Sequence, residues 1–348
     1  MTQNASSSTL VSTLTQPIRI VTKSTPLGVA AAAALMGLFS FLDKRASVRV
    51  VLRYSADELS AIAHEDYPTF IFIDCIEKNY HDRFAERKAL FLASQDCYSF
   101  GLSISSDMKK FAAFIVAGEL ANCIGYQEPL KCTDTILQDA LQSGIVRPDS
   151  TYPVLDLSEE FYSELRMKIG DEQLKLIDVA TIAAACVRMG KASLAVSALL
   201  GDGLAYDDCV KTLQDYKGEL KRALAWCAQN EKAIHKLAGV LIVHAQDYVA
   251  PYLTGSIAAH IVQEVEKNTL VLVLAYTSNH MVRVSLRMAG TRKDMSMAVL
   301  MGRTFESVEG EYGGDDIAAG GTFKRNQEEA FLGAARKVLE QAFVEERV

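Results

Sequence analysis

The stretch "RIVTKSTPLGVAAAAALMGLF", from Arg19 to Phe39, most constrains how this chain can fold. Its β-branched start predicts a strand, Pro26 and Gly28 predict a turn, and the alanine-rich remainder predicts a helix. A strand that leads through a glycine turn into a helix usually holds phosphate or metal, because backbone N–H groups and the helix dipole converge there. This turn contains neither an acidic residue nor a histidine. It therefore has the frame of a catalytic turn without the groups that do chemistry.

Strands and helices alternate through the rest of the N-terminal third. "SVRVVLRY" and "TFIFID" predict strands with a capped helix, "SADELSAIAH", between them, and "ALFLASQD" predicts one more strand. The alternation indicates right-handed βαβ units and a mainly parallel sheet, which is an α/β fold. Binding groups in such sheets lie just beyond the carboxyl ends of the strands. We therefore expect residues 22–28, 74–77 and 94–96 to surround one crevice.

The composition is that of a globular protein of about two domains, with 348 residues, 49% hydrophobic and 23% charged. The formal net charge of −7 excludes coating of nucleic acid by bulk charge, so any phosphate contact needs a local basic patch. The seven cysteines are widely spaced and form no CxxC motif. This pattern predicts reduced thiols in a cytoplasmic protein, with no disulfide and no structural zinc.

The uncharged run "LGVAAAAALMGLFSFL" also resembles a signal-peptide core, with Arg19 and Lys23 before it. However, a polar leader precedes the strand, and "DKR" rather than a small-residue cleavage site follows the run. The run is also short for a membrane span. We therefore expect a buried helix and no membrane contact.

The middle of the chain, residues 108–238, reads as mostly helical because apolar residues recur at three- and four-residue spacing. The segment "VRPDSTYPVLDLS", with two of the seven prolines, is predicted to be a linker or an extended crossing. Strand patterns then return, and "GEYGGDDIAAGG" reads as a glycine-rich turn before an amphipathic helix. We predict a disordered leader, an α/β domain, a helical connector and a smaller C-terminal α/β domain, over residues 1–15, 16–150, 151–235 and 236–348.

From about residue 16 to residue 341, the ordered segments resemble the DHH phosphoesterase superfamily and, within it, the archaeal RecJ-like proteins that associate with the GINS complex. In that family the first strand is followed by a T-H-H-D-A-D-G turn and an alanine-rich helix, which match "TKSTPLG" and "VAAAAAL". Gly28 keeps the glycine of the turn. The two metal-binding aspartates of the family and the two histidines before them fall on Thr25, Leu27, Lys23 and Ser24.

The remaining metal-site motifs of the family are also degenerate. The aspartate at the end of the buried strand is kept as Asp74, whereas the Asp-His-His motif falls on Ser94, Gln95 and Asp96, and Tyr126 takes the place of the last aspartate. A two-metal site needs several carboxylates. The resemblance therefore implies no catalytic residue and no cofactor beyond a weakly bound Mn²⁺ or Mg²⁺ at Asp74.

The C-terminal part resembles the DHH-associated domain, in which a K-V-S-x-R strand and a G-G-H-x-x-A-A-G turn contact nucleic acid or nucleotide. "RVSLR" keeps Ser285 and Arg287, and "GGDDIAAG" has Asp315 in place of the histidine. Alternation puts Arg283, Ser285 and Arg287 on one strand face. A solvated edge strand is the alternative interpretation. The predicted nucleic-acid-binding residues are Arg283, Ser285, Arg287, Gly313, Gly314 and Asp315, and Arg292 and Lys293 extend the basic cluster.

The resemblance implies a non-catalytic accessory protein of the archaeal replication helicase that bridges the GINS complex and the MCM helicase and weakly binds single-stranded DNA. The inactive eukaryotic member of the CMG complex has a comparable role. One alternative is an active exonuclease or nucleotide phosphoesterase whose rearranged metal site uses Asp74, Asp96, Asp207 and Asp208. Another is a nucleotide-binding regulator without replication partners.

Overall fold

The computed structural model describes residues 14–51, 54–75, 84, 87–123, 134–143, 146–148, 165–169, 172–290 and 295–344. The strands are β1 (Ile18–Lys23), β2 (Ala46–Val51), β3 (Thr69–Ile73), β4 (Lys88–Leu92), β5 (Val146–Pro148), β6 (Leu165–Ile169), β7 (Glu172–Lys175), β8 (Ile234–Leu237), β9 (Val240–His244), β10 (Leu270–Tyr276), β11 (Met281–Met288), β12 (Gly310–Gly314) and β13 (Ala318–Lys324). The helices are α1 (Pro26–Phe41), α2 (Ala56–Ala63), α3 (Cys97–Ile104), α4 (Ala112–Cys123), α5 (Asp134–Gln142), α6 (Leu176–Arg188), α7 (Ala192–Leu199), α8 (Gly203–Gln229), α9 (Thr254–Ile261), α10 (Met297–Phe305) and α11 (Glu328–Val344).

A four-stranded parallel sheet in the order β2-β1-β3-β4 lies at the centre of the N-terminal unit. β3 is buried along its whole length because both faces of the sheet are covered. Ile71 and Ile73 pack into the same cluster as α1. Phe70 and Phe72 pack on the other face, with Leu59 of α2. The α/β fold predicted from the alternation is confirmed.

Helix α1 is a core helix, as its alanine run predicts. Every residue from Leu27 to Leu35 is buried. Its small side chains allow close approach of its neighbours, since a Cβ atom on Gly37 would lie only 2.4 Å from the Phe111 ring. In the described part of the chain, no helix combines the length and the apolar character needed to cross a membrane.

The middle region contains the helices α4 to α8, as predicted, together with strands in two places. Strands β5, β6 and β7 form a small antiparallel sheet there, and "IHKL" forms strand β8 instead of extending a helix. Such short segments contain too few apolar residues to distinguish a helical period from a strand period. Their secondary structure therefore depends on the strands with which they pair. The predicted linker or extended crossing covers residues 146–158, of which Val146–Pro148 form β5 and residues 149–158 lie outside the described residues.

A six-stranded mixed sheet in the order β12-β13-β11-β10-β9-β8 forms the C-terminal unit. Val282, Val284 and Leu286 of β11 pack with Phe305 and Phe331, which lie on α10 and α11. The other face carries α9, the helix between the parallel strands β9 and β10. The segment predicted as a glycine-rich turn instead forms two paired strands, the hairpin β12–β13.

The chain divides into two compact units between Gln214 and Asp215, within α8. Leu14 is buried and the Thr15 carbonyl accepts a hydrogen bond from Thr69 Oγ1 at 2.7 Å, so these two residues of the predicted disordered leader are packed. Residues 1–13 of that leader lie outside the described residues. The finer division into residues 16–150, 151–235 and 236–348 stays a prediction.

The contact between α1 and α4 can be tested with two glycine substitutions. Gly118→Ala should lower the free energy of unfolding by about 1–3 kcal/mol, because its Cβ would lie 2.5 Å from Ala30 Cβ and 3.1 Å from Leu27 Cα. Gly218→Ala in α8 is the matched control, since its Cβ meets nothing within 4 Å, and it should raise stability by about 0.5–1 kcal/mol. Urea denaturation followed by circular dichroism measures both changes. A Gly118→Ala variant that is as stable as the parent would contradict the close packing of α1 and α4.

Candidate functional site

The carboxyl ends of β1, β3 and β4 lie side by side, because Thr22 pairs with Ile73 and Ile73 pairs with Leu92. The loops that follow these strands therefore meet at one edge of the sheet, as the βαβ pattern predicts. The Ser94 N–H donates a hydrogen bond to Asp74 Oδ1 at 2.7 Å and joins the loops after β3 and β4 directly.

The turn between β1 and α1 uses its polar groups to begin the helix. Thr25 is the N-cap residue, and its Oγ1 accepts a hydrogen bond from the Gly28 N–H at 3.1 Å. Pro26 occupies the first turn, where a missing N–H costs nothing. A Cβ atom on Gly28 would lie 2.7 Å from the hydroxyl oxygens of Thr22 and Thr25. The glycine is therefore required by close contacts within the turn.

Leu27 stands where the resemblance puts a metal-binding aspartate, and its side chain lies in the hydrophobic core. It is only 8% exposed and belongs to the same cluster as the rest of α1. Helix α4 contacts it at Gly118, where an added Cβ would lie 3.2 Å from Leu27 Cδ1. This position contributes packing energy, and an ionised carboxylate there would bear a large desolvation cost.

Asp74 holds the end of β3 in a constrained conformation. Its φ of 61° lies in the left-handed region, which aspartate tolerates better than most side chains. Its N–H donates to the Leu92 carbonyl at 2.8 Å while its carboxylate accepts from Ser94. The retained aspartate therefore clamps the β3 and β4 ends together through both its backbone and its side chain.

The other predicted residues of this edge differ in exposure. Ser94 is buried, whereas Gln95 and Asp96 are exposed on the short 3-10 turn that precedes α3. Lys23 lies over the ring of Tyr54, with Nζ 5.8 Å from the ring centre. Tyr126 lies outside the described residues.

Two buried titratable groups border the edge, and both stay protonated. The Tyr54 hydroxyl lies 2.8 Å from the Val21 carbonyl oxygen and 2.7 Å from that of Ile73, bridging β1 and β3. Burial, followed by the nearby Cys75 and Asp74, raises the pKa of Tyr54. Burial, and then the carboxylates of Asp74 and Asp96, raises the pKa of Cys97. A neutral thiol is a poor nucleophile, so Cys97 has a packing role here.

The described side chains of this edge do not fit a two-metal centre. Two bridged divalent cations need several carboxylates, whereas Thr25 caps a helix, Leu27 is apolar and one oxygen of Asp74 is bonded to Ser94. Across the described ranges, no three His, Cys, Asp or Glu side chains are grouped closely enough to hold a metal ion. The alternative ligand pair Asp207 and Asp208 lies exposed on α8, where Asp208 pairs with Lys211 at 3.0 Å.

The basic strip of the C-terminal unit lies on an inner strand. β11 has hydrogen-bonded neighbours on both sides, β13 and β10, so the alternative of a solvated edge strand is wrong. Arg283 is exposed, Ser285 is buried and Arg287 is half-buried. Alternation thus puts all three side chains on one face of β11, but they differ in exposure because different residues pack beside them. Arg292 and Lys293 lie outside the described residues.

Arg287 and Ser285 face the N-terminus of α9. The Ser285 hydroxyl is 2.9 Å from that of Thr254, and a Cβ on Gly255 would lie 3.4 Å from Arg287 Nη2. Arg287 Nη1 donates to the carbonyls of Leu286 and Ala319, at 2.8 and 3.3 Å. These contacts orient the guanidinium beside a glycine and two hydroxyls, an arrangement suited to a phosphate oxygen.

The hairpin turn lies at the same end of the sheet, since Arg287 pairs with Ala318 and Gly314 pairs with Ala319. Asp315, in place of the family histidine, accepts hydrogen bonds from the N–H groups of Ile317 and Ala318, both at 2.9 Å. Its side chain therefore closes the turn. Gly314 has a φ of 157°, and an added Cβ would lie 2.3 Å from the Ala318 carbonyl oxygen, whereas one on Gly313 would meet nothing within 4 Å.

Sequence reasoning missed three residues that shape these two regions, namely Tyr54, Thr254 and Gly255. The "TGS" triplet before an apolar helix was a usable signal, because a hydroxyl and a glycine at a helix start indicate open N–H groups. Tyr54 had no comparable signal, since its two carbonyl partners belong to strands that meet only in the folded sheet.

Comparisons with known proteins agree with this architecture. The DHHA1 domain matches residues 238–341. No curated protein matches the chain by sequence. RecJ from Thermus thermophilus in complex with Mn²⁺ superposes with a TM-score of 0.67 at 12% identity, over 97% of this chain and 54% of that one. The chain thus spans about half the length of that RecJ.

Two other structures are similar over nearly their full length. A manganese-bound exonuclease RecJ gives a TM-score of 0.64 at 12% identity, covering 96% of this chain and 93% of its own. CDC45 from Entamoeba histolytica gives 0.61 at 11% identity, covering 96% and 99%. At such identities the likeness establishes the fold alone. The chain therefore has the fold of the RecJ and CDC45 structures, and residues 238–341 of its C-terminal unit match the DHHA1 domain.

Proposed function

We propose that this protein is a non-catalytic, CDC45-like subunit of a replication helicase assembly, which bridges the GINS complex and the MCM helicase. The observation that carries the proposal is the burial of Leu27, 8% exposed, at a position where a RecJ-like nuclease needs a metal-binding carboxylate. The neighbouring Thr25 and Asp74 are bonded to the backbone of the turn and of the next loop. The fold is kept while the groups of this edge serve packing.

The likeness to CDC45 supports the same proposal, because it extends over almost the whole of both chains. The RecJ structures support the fold equally, and one of them is an exonuclease. The described side chains at the sheet edge include few possible metal ligands, which favours a CDC45-like, non-catalytic role over that of a RecJ-like nuclease.

We also propose weak binding of single-stranded DNA at Arg287. Its guanidinium is oriented by two carbonyl oxygens and lies beside Gly255, Ser285 and the start of α9. Phosphate groups bind well where a fixed guanidinium and the N–H groups of a helix start converge. Binding of this kind is tolerant of sequence, because it contacts the backbone of the nucleic acid.

The purified chain should not degrade end-labelled single-stranded DNA or RNA in Mn²⁺ or Mg²⁺ above a protein-free control, because the described side chains of the sheet edge do not supply the carboxylates that two cations need. Denaturing gel electrophoresis of the oligonucleotide measures this, with an exonuclease RecJ as the positive control. Metal-dependent turnover that disappears in Asp74→Asn would contradict the proposal and favour the exonuclease alternative. Asparagine suits this test because it tolerates a positive φ and still accepts a hydrogen bond from Ser94.

The chain should form a ternary complex with purified GINS and MCM from the same organism, and removing it should weaken the association of the other two. Size-exclusion chromatography with light scattering measures the complex. Asp74→Asn is the matched control and should leave assembly intact, because this side chain is bonded within its own unit. No association with either partner would remove the replication proposal and leave the nucleotide-binding regulator.

Arg287→Gln should weaken single-stranded DNA binding by about tenfold, since a hydrogen bond to a charged group contributes about 1.5–3 kcal/mol. The slope of log affinity against log salt should fall by about one unit. Arg336→Gln on α11 is the control, an exposed arginine of the same unit, and Gly255→Ala should weaken binding by filling the space beside Arg287 without unfolding α9. Fluorescence anisotropy with labelled oligothymidine measures all three. Parent-like affinity in both Arg287→Gln and Gly255→Ala would rule out this site.

A further inference from the structure

One outer edge of the C-terminal sheet is open to another strand. Within the described residues, β12 pairs with β13 alone, and all five of its residues are exposed. Natural sheets protect such edges with lysines, prolines or bulges. The opposite outer strand, β8, exposes His235 and Lys236, whereas β12 reads "GEYGG" in continuous register with its neighbour.

Helix α10 lies beside this edge and exposes an apolar side chain. Val299 is 55% exposed and Tyr312 of β12 is 54% exposed. Gly302, one turn after Val299, contacts the Tyr312 ring, since an added Cβ would lie 3.2 Å from it. The Tyr312 ring also packs against Phe305, with ring centres 5.2 Å apart. A strand edge next to an exposed helix flank is the arrangement that binds extended peptides by strand addition.

The charge around β12 is mostly negative. Among the described residues, the exposed cations of α10 and of the β12–β13 hairpin are Arg303 and Lys324, and Lys324 is already bonded to Glu309 at 2.7 Å. The exposed acidic residues of α10's end and of the hairpin are Glu306, Glu309, Glu311, Asp315 and Asp316. This excess of carboxylates favours a cationic partner at β12, whereas the phosphate contact proposed above is at Arg287 on β11, with β13 between the two strands.

We propose that the β12 edge binds an extended basic segment of another protein, in which lysine or arginine alternates with apolar residues. Backbone hydrogen bonds to β12 would add a seventh strand to the sheet. Alternate side chains then fall on the two sides of the strand, the apolar ones beside Val299 and Tyr312 and the cationic ones toward the carboxylates. A second copy of this chain would bring one acidic edge against another, which disfavours self-pairing. The proposal does not rest on a role in replication.

The test uses the full chain labelled with ¹⁵N-glycine, since Gly310, Gly313 and Gly314 all report on β12. The probe is a fluorescein-labelled heptapeptide of alternating lysine and valine, compared with the same peptide containing glutamate for lysine. The basic peptide should bind at least tenfold more tightly by anisotropy. It should shift the β12 glycine amides and that of Gly302, and leave that of Gly333 in place.

Val299→Lys should weaken binding of the basic peptide at least threefold, because it adds like charge and removes the apolar contact. Leu204→Lys is the matched control, since Leu204 is an 81% exposed aliphatic residue in the other unit, and it should bind as the parent does. Absence of binding would overturn the proposal. So would equal affinity for both peptides, unmoved β12 glycine signals, or Val299→Lys binding as tightly as the parent. Concentration-dependent shifts at the β12 glycines without peptide would assign the edge to a second copy instead.

Discussion

Close contact between α1 and its neighbours is the constraint on which the N-terminal unit depends. Glycine and alanine at the contact let the helices approach within van der Waals distance, and Gly118 of α4 has no room for even a methyl group. Dispersion between closely packed atoms is small for each pair but large over a whole helix. This contact fixes the position of α1, and with it the turn that leads from β1 into the helix.

The same packing sets the surroundings of the described side chains at this edge of the sheet. Leu27 points into the core that α1 and α4 share, where an ionised carboxylate would be costly without metal or hydrogen-bond partners. Thr25 caps the helix and Asp74 joins two loops, so the polar groups of the edge have structural partners. Each of these three positions therefore has a packing or hydrogen-bonding role within the N-terminal unit.

The two faces and the outer strand of the C-terminal sheet have different surroundings. One face of β11 packs against α10 and α11, while the other brings Arg287 and Ser285 to the start of α9. The outer strand β12 adds a third surface, acidic and partly apolar, which differs in charge from the Arg287 region. The phosphate contact and the peptide contact that we propose therefore lie on different strands of the C-terminal sheet.

The sequence by itself determined the elements with strong local patterns. β-branched "IRIV" and "TFIFI" specified parallel strands, and the alanine run specified a buried helix, because period and burial are encoded over many residues. Only the tertiary structure decided the short pieces, such as strand β8 and the small antiparallel sheet, since a few mixed residues follow whichever partner lies beside them. It also decided that β11 is an inner strand, that the Tyr54 hydroxyl bridges two carbonyls, and that Gly255 opens space next to Arg287. These features join residues far apart in the chain, and side-chain geometry across such distances exists only once the strands have paired.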